Sequence, residues 1–159
     1  MSPTAVVYLP LVAVCTFTSV SAVAADYGSC TYKDEKMEFI DGVAYTKPNM
    51  FDDKKHDTVV ALSVNKLDKA AISTSKDLDH TMIFETSGGK VAIAIPLDKV
   101  TSIYAFFPKG TNLNLSGTSF GDLKLASNDA KHVVGTFDLK ATSKDEASCN
   151  LKFDVPMAR

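Results

Sequence analysis

The chain has 159 residues, of which 45% are hydrophobic and 23% charged, and its formal net charge is −2. This length and composition predict one globular domain with a core of its own, and they exclude a disordered or low-complexity chain. The slight charge excludes a nucleic acid or another polyanion as the expected ligand.

The N-terminal segment has the anatomy of a secretion signal. Residues 1–25 contain no charged residue, and the run Val6–Val14 is almost wholly apolar before small residues follow. An apolar run that ends in an Ala-x-Ala site predicts cleavage after Ala24 or Ala25. We therefore expect residues 26–159 to form a single domain in the periplasm or outside the cell.

Two alternatives to cleavage stay open. An uncleaved anchor is disfavoured because Pro10 and the polar stretch Thr16–Ser21 interrupt the roughly 20 apolar residues that a membrane span needs. Lipidation of Cys15 is a minor alternative, since the branched Val14 precedes it where such signals have a small residue. After cleavage we expect no stable membrane span.

The cysteines predict a disulfide. Of the three, Cys15 lies in the signal, which leaves Cys30 and Cys149 near the two ends of the mature chain. An even pair in an exported chain is typical of a disulfide bond. Cys149 shares its strand face with Leu151 and Phe153, so it is expected to point inward, and Cys30 likewise. We expect the bridge to cross the core between the terminal strands.

An apolar period of two runs through most of the mature chain. Asn112–Ser116, Asp122–Leu125 and Cys149–Val155 alternate as half-buried antiparallel strands do. Thr58–Val64, Lys90–Ile95 and Ile103–Phe107 are apolar on both faces, which is typical of strands covered on both sides.

Further short strands are expected near Cys30–Lys33, Met37–Ile40 and His80–Glu85. One short helix is indicated at Leu67–Ile72, with Asp68 as its N-cap. The pattern predicts an all-β antiparallel sandwich of about eight to nine strands with at most one short helix, and a small β-barrel as the alternative.

One polar segment is a weak metal candidate. Asp52, Asp53, His56 and Asp57 lie within six residues, and clustered oxygens suit Ca²⁺. The spacing lacks the alternation and glycine of a calcium loop, and two lysines compete for the carboxylates. A self-compensated surface loop is therefore favoured, and no metal or other cofactor is predicted.

No catalytic residue is predicted. The sequence contains no H-E-x-x-H, and no reactive cysteine remains once the pair is oxidised. Gly117, Ser119 and Gly121 have the spacing G-x-S-x-G, but this segment is interpreted as a turn because no helix follows it to form a nucleophile elbow. His56, His80 and His132 lie far apart in sequence and are expected on outward faces or in the charged loop.

Five residues are candidates for contact with a partner. Tyr104 and Phe106 share one strand face, which would form an apolar patch if the sheet left that face uncovered, although burial of both rings is the favoured alternative. Ser116, Gly117 and Ser119 lie in a turn that would present hydroxyls and backbone donors.

Two stretches carry a resemblance: Asp41–Pro48 through Asp57–Asp68, and Ser116 through Lys140. They resemble a group of small exported bacterial proteins of unassigned function that share a "G-x-A-Y … D … D-T-x-V-x-L-S … L-D" opening and a late "G-x-F/L" strand. The resemblance implies a bacterial, exported origin. It brings no catalytic residues to this chain.

Three functions are compatible with these observations. The leading hypothesis is an exported non-enzymatic binding protein, an inhibitor or immunity-type protein that acts on another protein, because no motif of the chain is interpreted as catalytic. The first alternative is a small-ligand or Ca²⁺/Zn²⁺ binder that uses the loop from Asp52 to Asp57. The second is a hydrolase whose histidine and carboxylate assemble in space. The partner and the oligomeric state do not follow from the sequence.

Overall fold

A computed structural model describes residues 26–49, 52, 54–78, 90–95, 100, 102–117, 120–143 and 146–158, with the backbone alone for 90–95. The predicted signal at residues 1–25 and the predicted strand His80–Glu85 lie outside these ranges. β1 spans Gly28–Tyr32, β2 Glu35–Glu38, β3 Asp41–Pro48, β4 His56–Ser63, β5 Lys90–Ile95, β6 Ser102–Phe106, β7 Asn112–Ser116, β8 Asp122–Asn128, β9 His132–Leu139 and β10 Ser148–Pro156, and helix α1 spans Lys69–Thr74.

The strands form two antiparallel sheets that are not closed into a barrel, which confirms the predicted sandwich. The terminal sheet has the order β2-β1-β10-β9-β8, and the central sheet has the order β3-β4-β5-β6-β7. The described ranges hold ten strands, one or two more than expected. The sequence prediction missed β3, since Asp41-Gly42 at its start has the composition of a turn.

The chain changes sheets at a corner between β2 and β3. The amide of Phe39 donates to the carbonyl of Gly28 in the terminal sheet at 3.0 Å, and the next amide, of Ile40, donates to Ser63 in the central sheet at 2.9 Å. The C-terminal tail also joins the two sheets, because the amide of Ala158 donates to Ala44 on β3 at 2.7 Å. The two sheets are thus connected along one side through the backbone.

The main core lies between the sheets. Alternation of β10 buries Cys149, Leu151, Phe153 and Val155, as the period of two predicts. Each large apolar side chain buried this way contributes about 1.5–3 kcal/mol relative to exposure. The core is completed by side chains of both sheets, among them Met37, Phe39, Val60, Leu62, Ile103, Ala105, Val133 and Phe137.

A second apolar cluster covers the outer face of the central sheet at β3 and β4. Ile72 of α1, 1% exposed, packs on the outward residues of β3 and β4, which are Val43, Tyr45, Val59 and Ala61. The carboxylate of Asp68 accepts from the amides of Ala70 and Ala71, which confirms the predicted N-cap. The connection after β4 therefore lies across this sheet face.

Asp41 ties that connection to the sheet. Its carboxylate accepts from the amide of Leu67 at 3.0 Å and pairs with Lys69 at 2.8 Å. Burial alone would raise the pKa of Asp41, but the hydrogen bonds from Lys69, Leu67 and Gly42 together hold it below its ordinary value.

The disulfide between Cys30 and Cys149 is present, but the expected crossing of the core was wrong. Both cysteines are buried and point inward as predicted. They are directly opposite residues of β1 and β10, with Cα atoms 4.1 Å apart, so the bond links two neighbouring strands of one sheet. The physical reason is that β10 pairs with β1, which brings the two terminal strands side by side.

Candidate binding face

The predicted aromatic pair lies on the outer face of the central sheet. Tyr104 and Phe106 alternate with the buried Ile103 and Ala105, so their shared face is confirmed. Tyr104 packs against the cluster under α1, and the open apolar patch considered for this face is therefore covered at Tyr104. Among the described residues, the one large hydrophobic side chain classed as exposed is Ile40, at 37%.

The predicted turn lies at the edge of the central sheet. Ser116 ends β7 and Gly117 follows it, both exposed, whereas Ser119 lies outside the described residues. A Cβ at Gly117 would approach the ring of Phe120 to 3.2 Å, so the backbone runs close to that ring. Ser116 is opposite Ser102 on β6, two residues from Tyr104 and on the same outward face, so the start of this turn lies beside the aromatic pair.

The polar segment is internally paired. Asp52 forms an ion pair with Lys55 at 3.0 Å, and that contact, with the amide of Lys54, lowers the pKa of Asp52. The carboxylate of Asp57 is buried and accepts from the amide nitrogen of Asn49 at 2.6 Å.

His56 is exposed at the start of β4, and Asp53 is not described. Within the described part of the chain, no three metal-ligating side chains converge. The carboxylate of Asp52 is thus already paired within a surface loop, as predicted, whereas Asp57 is buried at the start of β4 and bonded to Asn49.

One histidine has a carboxylate partner. His132 points outward at the start of β9, as expected, and its Nδ1 lies 2.8 Å from Oδ1 of Asp154. Both side chains are more than half exposed. His80 lies outside the described residues, so the histidines offer one pair at the surface.

The outer face of the terminal sheet is open and polar. The outward residues of β10 are Asn150, Lys152 and Asp154, all exposed, and they alternate with the buried core residues of the same strand. Their neighbours on β9 include Thr136 and Asp138, and the side-chain amide of Asn150 donates to Asp138. No apolar cluster like the one under α1 lies on this face among the described residues.

Grooves lie on that face of the described part of the chain. One has a volume of about 610 Å³ and runs from the residues before β1, across β10 and β9, to β8. Its lining includes Tyr27, Lys152, Thr136, Lys124 and Val134. Two smaller grooves of about 440 and 490 Å³ flank Asn150 on the same face. The terminal sheet thus offers the concave surfaces that binding needs.

The groove contains groups of both charges. Lys124 pairs with Asp122 at 3.1 Å, and Asp154 is held by His132. Burial raises the pKa of Tyr27, so its hydroxyl stays protonated at neutral pH. The groove can therefore offer hydroxyl and ammonium donors to a ligand.

Sequence reasoning missed this face. The alternation of β8, β9 and β10 was used to predict which residues point inward, and the same alternation also indicates which point outward. The alternation of polar and apolar residues does not indicate the order in which the strands lie in the sheet. Lys124 and Lys152 become neighbours of Thr136 only because β9 lies between β8 and β10.

Comparisons with known proteins add nothing to this assignment: no protein-family model, no curated protein and no solved structure matches the chain. The resemblance to small exported bacterial proteins therefore stays a prediction. Within the described ranges, no helix has the length and apolar character needed to cross a membrane. The assignment of the binding face rests on geometry alone.

Proposed function

We propose that this protein is an exported, non-enzymatic binding protein that acts on another protein, in the manner of a periplasmic hydrolase inhibitor or an immunity protein. The observation that carries the proposal is the difference between the two outer faces of the sandwich. An apolar cluster under α1 covers one of them over β3, β4 and Tyr104, whereas the other is open and has exposed polar side chains around a groove with a mainly apolar surface.

Such a surface suits recognition of a folded partner. The sheet holds its outward side chains at fixed spacings, so they need little reordering when a partner binds. Polar side chains keep the unbound protein soluble, and the grooves supply the shape to which a partner can fit. The disulfide bond of the terminal sheet is compatible with the oxidising compartment that an exported protein occupies.

The pair of His132 and Asp154 is the observation that favours the hydrolase alternative, because a carboxylate that orients a histidine is part of a catalytic triad. A triad also needs a nucleophile on the other nitrogen of the histidine. Among the described residues, no serine, threonine or cysteine side chain is hydrogen-bonded to His132. The binding function is therefore the better supported one.

The test is a pull-down from a periplasmic extract with the mature protein as bait, alongside an assay of lysozyme inhibition. The informative variant is Thr136→Arg, which places a large charged side chain in the centre of the groove. Its matched control is Ser73→Arg, on the exposed surface of α1.

We expect Thr136→Arg to weaken partner binding or inhibition by about tenfold or more, and Ser73→Arg to leave both unchanged. The absence of a partner together with the absence of inhibition at micromolar concentration would overturn the proposal. Equal effects of the two arginines would show that the terminal sheet is not the binding face.

A further inference from the structure

β2 is an edge strand of the terminal sheet, and its outer edge is open. Among the described strands it pairs with β1 alone. Its residues alternate, so that Met37 is buried in the core while Lys36 and Glu38 are exposed on the outer face. An open edge carries backbone amides and carbonyls that a further strand can bind. A strand from another molecule can therefore add to the sheet at this position.

The backbone groups that face this open edge belong to Lys36 and Glu38. The amide and the carbonyl of Phe39 are both hydrogen-bonded to the segment 27–28, at 3.0 and 3.1 Å, so both of them face β1. Backbone groups of successive residues in a strand point alternately to one neighbour and to the other. Those of Met37 therefore also face β1, whereas those of Lys36 and Glu38 face away from it.

The side chains of the same two residues are complementary to those of a second copy. When two β2 strands pair antiparallel about a two-fold axis at Met37, Lys36 of each copy lies opposite Glu38 of the other. Opposite charges at opposite positions stabilise a strand pair. Within one chain, Nζ of Lys36 lies 2.7 Å from Oε1 of Glu38, and both side chains are more than half exposed. Such an exposed pair is weak, so it exchanges readily for the same pair between two copies.

The backbone and the charges select the same register. Two opposite residues whose backbone groups both face the partner strand exchange two hydrogen bonds. With the axis at Met37, Lys36 and Glu38 of the other copy are such residues, and the symmetry forms this pair twice. An axis at Lys36 or at Glu38 would instead place two like charges opposite each other, which destabilises a strand pair.

The opposite edge of the terminal sheet is less suited to such pairing. On β8, Asp122 and Lys124 would be complementary about an axis at Leu123. The alternation of backbone groups, followed from β1 through β10 and β9, leaves only Leu123 of these three with its groups at the edge. The bulge after Leu125 then interrupts the strand. β2 therefore offers more backbone hydrogen bonds to a second copy than β8 does.

We infer that two copies of this chain associate through their β2 edges, about a two-fold axis at Met37, and join two five-stranded sheets into one. Because opposite residues project from the same face, the open outer faces of both copies lie on one side of the joined sheet. The groove of about 440 Å³ beside β2 is lined by Lys36 and Glu38, so its two copies meet at the axis. The dimer is independent of the proposed function.

Sedimentation equilibrium of the mature protein between about 10 µM and 1 mM measures the association. A four-residue edge buries less area than a stable interface does, so we expect a weak dimer with a dissociation constant on the order of 0.1 mM. Amide hydrogen exchange locates the contact. The amides of Lys36 and Glu38 should become protected as the concentration rises, whereas that of Met37, which already faces β1, should not change.

Charge reversal tests the register. Lys36→Glu and Glu38→Lys each place like charges opposite each other at two positions, so each should weaken the dimer by about tenfold or more. The two variants change the net charge in opposite directions, so a general effect of net charge would move their affinities in opposite directions. Lys124→Glu on β8 is the matched control. It makes the same change of charge as Lys36→Glu and should alter the dissociation constant by less than about twofold.

A mixture of the two single variants supplies the complementary charges. In the mixed pair, both glutamates of one copy lie opposite lysines of the other, so the mixture should associate about tenfold or more tightly than either variant alone. The double variant Lys36→Glu with Glu38→Lys restores opposite charges between identical copies and should dimerise like the original protein. These two recoveries also show that the single variants fold.

A monomer at 1 mM would overturn the inference, and so would protection at Leu123 in place of Lys36 and Glu38. Unchanged association of the single variants, shifts of their affinities in opposite directions, or no gain on mixing them would likewise overturn it. None of these results affects capture of a partner or its loss in Thr136→Arg, so the proposed function is tested separately.

Discussion

Loss of the disulfide should lower the stability of this domain more than any other pair of small substitutions. The perturbation is Cys30→Ala combined with Cys149→Ala. The bond closes a loop with a sequence separation of 119. In the chain-entropy model, opening a loop of this length costs about 4–5 kcal/mol. Both side chains are buried, and the two small cavities left by the sulfur atoms add about 1 kcal/mol.

The assay is urea unfolding followed by circular dichroism, with the oxidised protein as the reference. A loss of about 5 kcal/mol is a large share of the 5–15 kcal/mol that stabilises a typical domain, so the midpoint should fall steeply. The slope of the transition should rise, because the unfolded chain without the loop exposes more surface. Reduction of the unmodified protein is the control, since it opens the loop and keeps the sulfur atoms.

A loss below about 1 kcal/mol with an unchanged slope would refute the reasoning. That result would mean that the unfolded chain is compact with or without the bond. A large loss in the alanine variant with none on reduction would instead assign the effect to packing. Partner binding should persist in whatever fraction remains folded, because neither sulfur atom contacts the outer face.

Three further predictions concern other parts of the chain. Asp41→Asn should cost roughly 2 kcal/mol at neutral pH in urea unfolding. Folding lowers the pKa of the Asp41 carboxyl, so its contribution to the free energy of unfolding is complete above the unfolded-state pKa and is lost as the pH falls through the folded-state pKa. The stabilities of the original protein and of the variant should therefore converge in acid. Parallel curves of stability against pH would contradict this. Lys33 and Asp34 form the β1–β2 turn with φ of 47° and 63°, values that Asn and Gly adopt more readily. Replacing the two residues with Asn-Gly should therefore stabilise the domain by up to about 1 kcal/mol. A lower thermal midpoint of the variant would argue against that turn. Mass spectrometry of the exported protein should show cleavage after Ala24 or Ala25, whereas an intact or lipid-bearing N-terminus would contradict the predicted signal.

The sequence pattern predicts side-chain direction well and strand neighbours poorly. The inward phase of Cys149 follows from alternation with Leu151, and the N-cap at Asp68 follows from local hydrogen bonding. Both are properties of consecutive residues. The pairing of β1 with β10 joins residues more than a hundred positions apart, and no local pattern records it. The groove could not be predicted for the same reason, because its lysines are placed by the strand order.

The position of β10 also has a consequence for how the molecule assembles. Strands β3–β7 pair in chain order, so the central sheet needs only contacts between consecutive strands, and we expect it to form early. β1 and β2 precede all the other described strands, but they join the terminal sheet only through β10, which lies between β1 and β9. Until β10 pairs, the hairpin of β1 and β2 and the pair β8–β9 each leave a strand edge open to other chains. We therefore expect the pairing of β10 to complete the sheet, close the core and bring Cys149 to Cys30 in one late step of folding.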